Sequence, residues 1–508
     1  YSLEYVLIKN RSKFKNYGVI ELDNFTMKHD LKKIFISANK YKLVLLDKFV
    51  FSNENTVTLN KDKYQLKIDS GVDGEDLFYK ITASGLLSSE NIKSVVNTKL
   101  INTLDGESVS TMSLKYTNVK NKPSLVGMIK TDMVGFKLNI FSPLEKTKVE
   151  EKRLLIKTDF MATKKYFDVY YDVYDMRFSK GEEFININIV SPFLNGNIRI
   201  PDSVSDENRI LARLQYLDLN QFSGIADPKE YLPMKLQIKE IKIYNSFFNN
   251  FNVQTSSHTD GMSIDKISFA NKYLTMNGQG KWINNTAGQM TFFDGNFNSV
   301  NFGKSLDNFG YKDLIKRGKL SSRLIGQWPN SPETFSFKNF DGKILLNLND
   351  GDFLKVTRET KVIGQLLGLF SIASLQKRLS LDFSDFFSSG LSFDQMTGEF
   401  IFLDSISTVK SLNLSGTFGE MTINGISDIK KETHDHKLTY IPDLSSMSLI
   451  SGTLLGGPIG AVASIFYDKV LKQIGIDTNE LAAVEYSITG SWSDPEIILL
   501  EPFKQIEN

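Results

Sequence analysis

The chain contains no cysteine among its 508 residues. Disulfide bridges, thiolate metal sites and thiol catalysis are therefore excluded. An excess of either charge is also missing, because 60 lysines and arginines stand against 59 aspartates and glutamates, leaving a formal net charge of +1. The two signs are mixed along the sequence. No basic region indicates nucleic-acid binding, so we expect no nucleic-acid partner.

Histidine, the commonest metal ligand and proton carrier in proteins, is scarce. The chain has four: His29, His258, His434 and His436. Only the last two are spaced to share one face of a strand. No third ligand stands near them, so we interpret His434-Asp435-His436 as a solvated hairpin segment rather than a metal site.

Other motifs that carry chemistry are incomplete. Asp350-Gly351-Asp352 resembles a fragment of a calcium loop but lacks the remaining oxygen ligands, so we interpret it as a turn. Gly278-Gln279-Gly280 is too short, and lies in a strand context, for a dinucleotide loop. Since no nucleophile elbow or phosphate loop appears either, the sequence predicts no enzyme and no cofactor or metal.

Alternation of apolar and polar residues with a period of two dominates the first 340 residues. Glu183 to Val190 and Asn197 to Ile200 each place isoleucines on one side only, which is typical of half-buried antiparallel strands. In Met234 to Ile243 the apolar phase changes near Lys239-Glu240, which predicts a bulge or a corner where the sheet changes direction. Asp-Gly pairs that follow apolar runs predict hairpin turns at residues 73–74, 105–106, 260–261 and 294–295, and a turn at 350–351.

Two segments near the C-terminus have helical rather than strand periodicity. In residues 358–377 the helical spacing aligns Ile363, Leu366, Leu367 and Phe370. In residues 444–474, which we predict to be a helical hairpin interrupted at Pro458, one face carries Ile459, Val462 and Phe466. For the first helix a cap on the sheet and a membrane contact both remain open. The second segment could span a membrane, lie in its interface or pack as a buried hairpin, the arrangement we favour.

An ordered set of short motifs gives a resemblance to a known family. It comprises Asp227-Pro228, Gly278 to Trp282 (GQGKW), Phe309-Gly310-Tyr311, Gly326 to Pro329 (GQWP), Asp350-Gly351, Gly456-Gly457-Pro458 and Gly490 to Pro495 (GSWSDP). In this order and spacing they resemble the C-terminal region of the AsmA-like proteins, YhdP branch, over roughly residues 225–500.

The resemblance implies a bridge-like lipid transport protein of diderm bacteria, which moves phospholipid passively across the periplasm. It implies an inner-membrane anchor N-terminal to this chain, contact with the outer membrane at the C-terminal end, and no catalysis. We expect a monomer. Because the chain begins at Tyr1 with no signal peptide or N-terminal membrane helix, we interpret it as a piece of a longer protein.

The predicted fold is mainly β: an elongated, twisted antiparallel sheet that forms an apolar groove (residues 1–340), followed by a C-terminal region with helices (residues 341–508). The predicted groove lining is Ile185, Ile187, Ile189, Ile198, Ile200, Leu236 and Ile238. By periodicity alone the closed core of a sandwich is favoured for these residues, and the family resemblance favours the groove instead. The alternatives are therefore a structural or adhesive β-protein without lipid, or an outer-membrane β-barrel.

Overall fold

The computed structural model describes residues 2–10, 13–29, 34–60, 62–74, 76–95, 99–119, 122–139, 142–222, 227–243, 246–309, 314–354, 391–442, 482–492 and 494–505. Strands dominate these residues, and every strand pairing within them is antiparallel. The predicted mainly-β class is confirmed. The contacts divide the chain into two compact units, which we describe separately.

The first unit comprises Tyr1–Val204 and Ile210–Gly224. Its strands are β1 (Ser2–Asn10), β2 (Lys13–His29), β3 (Ile34–Leu46), β4 (Phe49–Phe51), β5 (Asn55–Leu59), β6 (Asp62–Asp73), β7 (Asp76–Ser88), β8 (Leu104–Val119), β9 (Lys122–Thr131), β10 (Phe136–Leu138), β11 (Leu154–Asp159), β12 (Tyr166–Tyr171), β13 (Tyr174–Lys180), β14 (Phe184–Val190), β15 (Leu194–Pro201) and β16 (Ile210–Asp218). Two short helices, α1 (Ser89–Val95) and α2 (Lys99–Asn102), connect β7 to β8, and a 3-10 helix (Leu219–Gln221) follows β16.

Most strands of the first unit pair with the next strand along the chain. The exceptions are short insertions: β3 pairs with both β4 and β5, and β8 pairs with β10 while β9 pairs with β11. Two apolar clusters lie on this sheet. One centres on Tyr41, Val57 and Tyr64, and the other on Phe136 and Tyr171.

The second unit comprises Ser205–Arg209 and Ile225–Asn508. Its strands are β17 (Met234–Ile243), β18 (Ser246–His258), β19 (Gly261–Ala270), β20 (Leu274–Asn285), β21 (Gly288–Ser299), β22 (Ile315–Pro329), β23 (Asp341–Phe353), β24 (Leu391–Leu403), β25 (Ile406–Gly416), β26 (Gly419–Asp428), β27 (Thr433–Pro442), β28 (Ala482–Ser491) and β29 (Asp494–Gln505). Helix α3 (Phe302–Asn308) and two 3-10 helices (Pro228–Glu230 and Pro332–Thr334) complete its described elements.

Each strand from β17 to β28 pairs with its successor, so the second unit is a simple meander. One large cluster of buried apolar side chains extends from α3 and β22 to β28. The division of the sequence at residue 340 into a groove region and a C-terminal region stays a prediction.

The predicted change of phase in β17 is confirmed. Ile238 and Ile241 are both buried, while Lys239 and Glu240 between them are both exposed. On the facing strand, Asn250 has a positive φ of 53° and is skipped in the pairing. Both strands are therefore irregular at the same place, and the apolar side chains stay on one face.

Two predicted hairpin turns are present and three predicted turns are wrong. Residues 73–74 and 260–261 connect paired strands, but residues 105–106, 294–295 and 350–351 lie inside β8, β21 and β23. At the last pair the pairing skips Asp350, whose φ is 59°, so the backbone is locally irregular and the chain continues as strand in the same register. An Asp-Gly pair therefore marks a local backbone irregularity here, and it makes a hairpin only where the chain also reverses.

Both C-terminal segments predicted as helices, residues 358–377 and 444–474, lie outside the described residues. So do Ile363, Leu366, Leu367, Phe370, Ile459, Val462 and Phe466. Within the part of the chain that the structure describes, no helix combines the length and apolarity needed to cross a membrane.

Candidate functional site

The main feature of the first unit is an uninterrupted row of apolar side chains across ten strands, from β6 to β16. Each member is the direct cross-strand partner of the next, so all of them point to one face of the sheet. This first ladder is Leu66, Ala83, Met112, Ile129, Ile156, Val169, Met176, Ile189, Gly196 and Leu214. From Leu66 to Met176 its side chains are half-buried, so a strip of apolar surface remains accessible.

The opposite face of the same strands carries a row in the same register that is polar at every position except Met128. It is Lys67, Thr82, Ser113, Met128, Lys157, Asp168, Arg177, Asn188, Asn197 and Arg213. Arg177 donates two hydrogen bonds to Asp168, at 2.6 and 3.0 Å, and this carboxylate raises the pKa of the guanidinium. The sheet of the first unit therefore has one apolar face and one mainly polar face.

Five of the predicted lining residues come together on the apolar face of β14 and β15. Ile185 pairs with Ile200, Ile187 pairs with Ile198, and Ile189 pairs with Gly196. Exposure falls along β14, from 39% at Ile185 to 8% at Ile189. The strip is thus accessible near the turn between β13 and β14 and covered near the turn between β14 and β15.

The covering element is the connection between β9 and β11, which sequence reasoning missed. Its side chains Met133 and Phe136 pack in one cluster with Tyr171, Tyr174 and Ile189. The hydroxyl of Tyr171 donates a hydrogen bond to the carbonyl of Leu144, at 2.9 Å. This connection therefore forms one margin of the apolar face.

A buried lysine holds this connection together. Lys146 is 2% exposed, and its Nζ donates to the carbonyls of Phe136, at 3.0 Å, and Thr147, at 2.7 Å. Burial lowers the pKa of Lys146 because desolvation disfavours the ammonium. Periodicity gives no signal for such a residue, because it is a lysine in an irregular segment.

Leu236 and Ile238 lie on the apolar face of the second unit. Their cross-strand partners on β18 are Val253 and Phe251. Leu236 is half-buried, whereas Ile238 is almost fully buried.

Leu236 is the first member of a second ladder, which crosses every strand from β17 to β29. Its members are Leu236, Val253, Ile267, Gly278, Gly295, Leu324, Ile344, Phe400, Val409, Gly425, His436, Ile488 and Ile497. The large apolar members are half-buried as far as Ile344 and almost fully buried from Phe400 to Ile488. Along this ladder the apolar face is therefore accessible at β17 to β23 and closed from β24 to β28.

Comparison with known proteins places this chain in a family. The profile of the YhdP protein family matches residues 172–497. The chain belongs to the YhdP family. The predicted membership of the AsmA-like, YhdP-type proteins is thus confirmed.

One relative in this family is the "Intermembrane phospholipid transporter YhdP" of Escherichia coli (strain K12), which is 20% identical to the chain over 351 residues. The similarity covers 64% of this chain and 27% of that protein, so the chain spans about a quarter of its relative's length. No solved structure matches the chain.

The glycine and aromatic motifs inside the range matched by the YhdP family form one local arrangement. Gly278 pairs directly with Gly295, and the ring of Phe293 lies against both, so close that a Cβ atom on Gly278 would come within 2.7 Å of it. Gly326 and Gly342 form a second pair, against which the ring of Phe340 lies. Glycine is needed at these positions because the rings occupy the space of its missing side chain.

The histidine pair of this YhdP-family chain is buried, so its interpretation as a solvated hairpin is wrong. His434 and His436 are 5% and 4% exposed, because β27 turns both toward the apolar face. The hydroxyl oxygen of Ser427 lies 3.1 Å from His434 Nδ1 and 2.8 Å from His436 Nε2, and Trp492 stacks on His434 at 5.7 Å. Burial, and secondarily the neighbouring His436, lowers the pKa of His434 to about 3.

The chemistry available elsewhere in the described residues is limited. No group of three or more histidine, aspartate or glutamate side chains is placed to bind a metal there. A depression of about 500 Å³ lies over Gly280 and Gly326, lined by Lys281, Asp294 and Asp341 among others. Asp350 and Asp352, predicted to form a turn, lie in strand and pair with Lys319 and Arg317.

Proposed function

We propose that this chain is part of a passive conduit for phospholipid between the inner and outer membranes of a diderm bacterium. Acyl chains lie on the apolar face of the sheet, and head groups stay in water. The observation that carries this proposal is the first ladder, which is apolar across ten strands and half-buried from Leu66 to Met176. The name of the E. coli relative supports it.

The energetic argument concerns the cost of exposing acyl chains to water. A lipid with two chains exposes about thirty methylenes at ~0.8 kcal/mol each, a penalty on the order of 20 kcal/mol. A surface of isoleucine, leucine, methionine and valine offsets most of this penalty at each point of contact. Because neighbouring strands lie about 4.8 Å apart, an acyl chain bound to one side chain of the first ladder can always reach the side chain on the next strand.

The geometry of the apolar face in the first unit fits the binding of acyl chains better than the recognition of a lipid head group. On β14 the strip is accessible at Ile185 and Ile187, which lie about 7 Å apart along the strand, and it is covered at Ile189. Asp168 and Arg177 are on the reverse face, where they neutralise each other, and Lys180, which pairs with Ile185 at the end of the strip, forms an ion pair with Asp202. Chemistry on the lipid is not needed, so the proposed role is that of a carrier surface and not of an enzyme.

The remaining parts of the proposal concern location and partners. The conduit lies in the periplasm, is anchored in the inner membrane by a segment N-terminal to this chain, and meets the outer membrane at its C-terminal end. It works as a monomer. The predicted C-terminal helices at residues 358–377 and 444–474 are the candidates for that membrane contact.

Mass spectrometry of lipid extracts tests the proposal directly. The chain is exported to the periplasm of E. coli behind an added signal peptide and purified without detergent, and bound lipid is extracted with organic solvent. We expect phospholipid to be retained. A folded protein that yields no phospholipid would instead favour a structural or adhesive β-protein.

A further inference from the structure

We infer that the acyl-chain path in the second unit ends at β24, where a row of packed side chains closes the apolar face. This inference rests on the proposed function, because it concerns where a bound lipid can go. The side chains that form the closure are Phe393, Met396, Phe400 and Phe402. We call them the β24 barrier.

The face is accessible on the approach to the barrier. Along the second ladder, Val253 and Ile267 on β18 and β19 are half-buried, as is Ile344 on β23. Rings on this part of the face are also partly accessible, since Phe251 is half-buried and stacks on Phe269 at 6.2 Å. A hydrocarbon chain there would displace only water.

At β24 the face is closed across the width of the strand, whereas on β23 Ile344 and Leu346 are half-buried and the closure is confined to the end at Leu348 and Phe353. All four members of the barrier are at most 2% exposed. Phe400 and Phe402 pair with Ile344 and Gly342 of β23, so the barrier directly follows the last half-buried rung. The next strands continue the closure, because Val409, Leu412 and Leu414 on β25 are also at most 2% exposed.

Interlocking aromatic rings support the barrier from one side. Phe402 lies 5.3 Å from Phe340 and 5.7 Å from Phe337 between ring centroids, and Phe340 lies 5.6 Å from Phe335. Phe335, Phe337 and Phe340 belong to the connection between β22 and β23, which is thereby fixed onto β24. Edge-to-face and stacked rings at these distances stabilise each other beyond the area that they bury.

An acyl chain can pass the barrier only by separating side chains that already pack against each other. That step exchanges one apolar contact for another and gains no burial, while it opens a close-packed interior. The chain gains more by staying on the half-buried rungs of β17 to β23. A lipid that travels along this face therefore leaves it before β24.

Photo-crosslinking along the chain tests the inference. Three variants each replace one half-buried aromatic residue of an apolar face by p-benzoylphenylalanine: Phe178 in the first unit, Phe251 before the barrier and Tyr486 beyond it. Each is an aromatic-for-aromatic exchange, and thermal unfolding of each variant checks that it folds. The full 508-residue chain is irradiated with vesicles of phosphatidylethanolamine that contain a head-group-labelled phosphatidylethanolamine tracer.

We expect labelled adducts at positions 178 and 251, and loss of the adduct at 486 to the level of an unirradiated sample. An adduct at 486, or none at 251 when 178 is labelled, would overturn the barrier but leave the conduit intact. No adduct at any of the three positions would overturn the proposed function itself.

Discussion

At the scale of single residues, the glycines under aromatic rings are the positions with the least freedom to change. A Cβ atom on Gly326 would overlap both the backbone carbonyl oxygen of Asp341 and the ring of Phe340. The backbone cannot yield without disturbing the pairing of β22 with β23, and the ring cannot yield without disturbing its contact with Phe402.

We therefore expect Gly326→Ala to lower the free energy of unfolding by about 1–3 kcal/mol, the usual cost of overpacking. Thermal unfolding followed by circular dichroism measures the change. Gly18→Ala is the matched control, because a Cβ atom there meets only Leu45 side-chain atoms at 3.7–3.8 Å. Equal midpoints for the two variants would contradict the steric argument.

The buried histidines make stability depend on pH in a defined window. The folded-state pKa of His434, about 3, lies below its ordinary value of 6.5, and burial also lowers the pKa of His436. Below pH 6.5 the unfolded chain therefore binds protons that the folded chain does not. The stability due to neutral histidine is full above pH 6.5 and is lost as the pH falls toward the folded pKa.

We expect His434 alone to lower the free energy of unfolding by about 2 kcal/mol between pH 6.5 and pH 5. Denaturant unfolding at these two pH values measures the loss, and His434→Phe should reduce it. The lowered pKa values of Asp294 and Asp352 affect stability only at more acidic pH, so they do not obscure this window. If the wild-type protein and His434→Phe lose the same free energy of unfolding between these pH values, burial of His434 is not the cause of the loss.

At the scale of single strands, β14 separates the two faces of the first unit at neighbouring positions. Ile187 lies on the apolar face as the partner of Ile198, and Asn188 lies on the polar face as the partner of Asn197. The two residues share one strand and one environment of backbone hydrogen bonds. Introducing a charge at each position in turn therefore distinguishes an effect on the apolar face from a general effect on the folding of the strand.

We expect Ile187→Lys to abolish lipid crosslinking at position 178 and lipid retention, because an ammonium on the strip forces acyl chains to pass a hydrated charge. Asn188→Lys should retain wild-type levels. Ile187 is only half-buried, so the variant is expected to fold. Leu236→Lys, with exposed Lys235→Gln as its control, makes the same test at position 251. Lipid retention by Ile187→Lys equal to that of Asn188→Lys would contradict the assignment of the strip.

Strand periodicity predicted the elements that carry this face because the side-chain period of a strand is two wherever one face is wet. Met234–Ile243 is a strand with the predicted bounds, and Ile185, Ile187 and Ile189 share the predicted side. The β24 barrier could not be predicted in the same way, since a sealed strand and a half-open strand have the same alternation. What closes the face is packing between distant residues, such as Phe340 on Phe402.

Local motifs gave less reliable predictions for the same reason. Asp294-Gly295 has the composition of a turn, yet Gly295 is there to accommodate the ring of Phe293 and Asp294 accepts two hydrogen bonds from Arg323, both at 2.9 Å. His434 and His436 have the composition of a solvated segment, yet their strand turns them inward. Asp294 and His434 each contact a partner far away in the sequence, Arg323 and Trp492, which the local composition does not reveal.

At the scale of the whole molecule, the balance of charge bears on which lipids are carried. Sixty basic residues against 59 acidic ones leave no net field to select anionic over zwitterionic head groups. We expect the retained lipids to mirror the composition of the membrane that supplied them, and their amount to be insensitive to salt. Strong enrichment of one head-group class in the lipid extract would contradict a carrier that binds chains alone.

The register of the two ladders also limits how such a chain can diverge. Because apolar and polar rows alternate residue by residue, deleting one residue within β13 would place the following part of that strand on the wrong face. An insertion or deletion of two residues within a strand, or a change confined to a turn, leaves the side chains of each strand on their original faces. Natural length variation in this sheet is therefore expected in the turns and, within strands, in even steps.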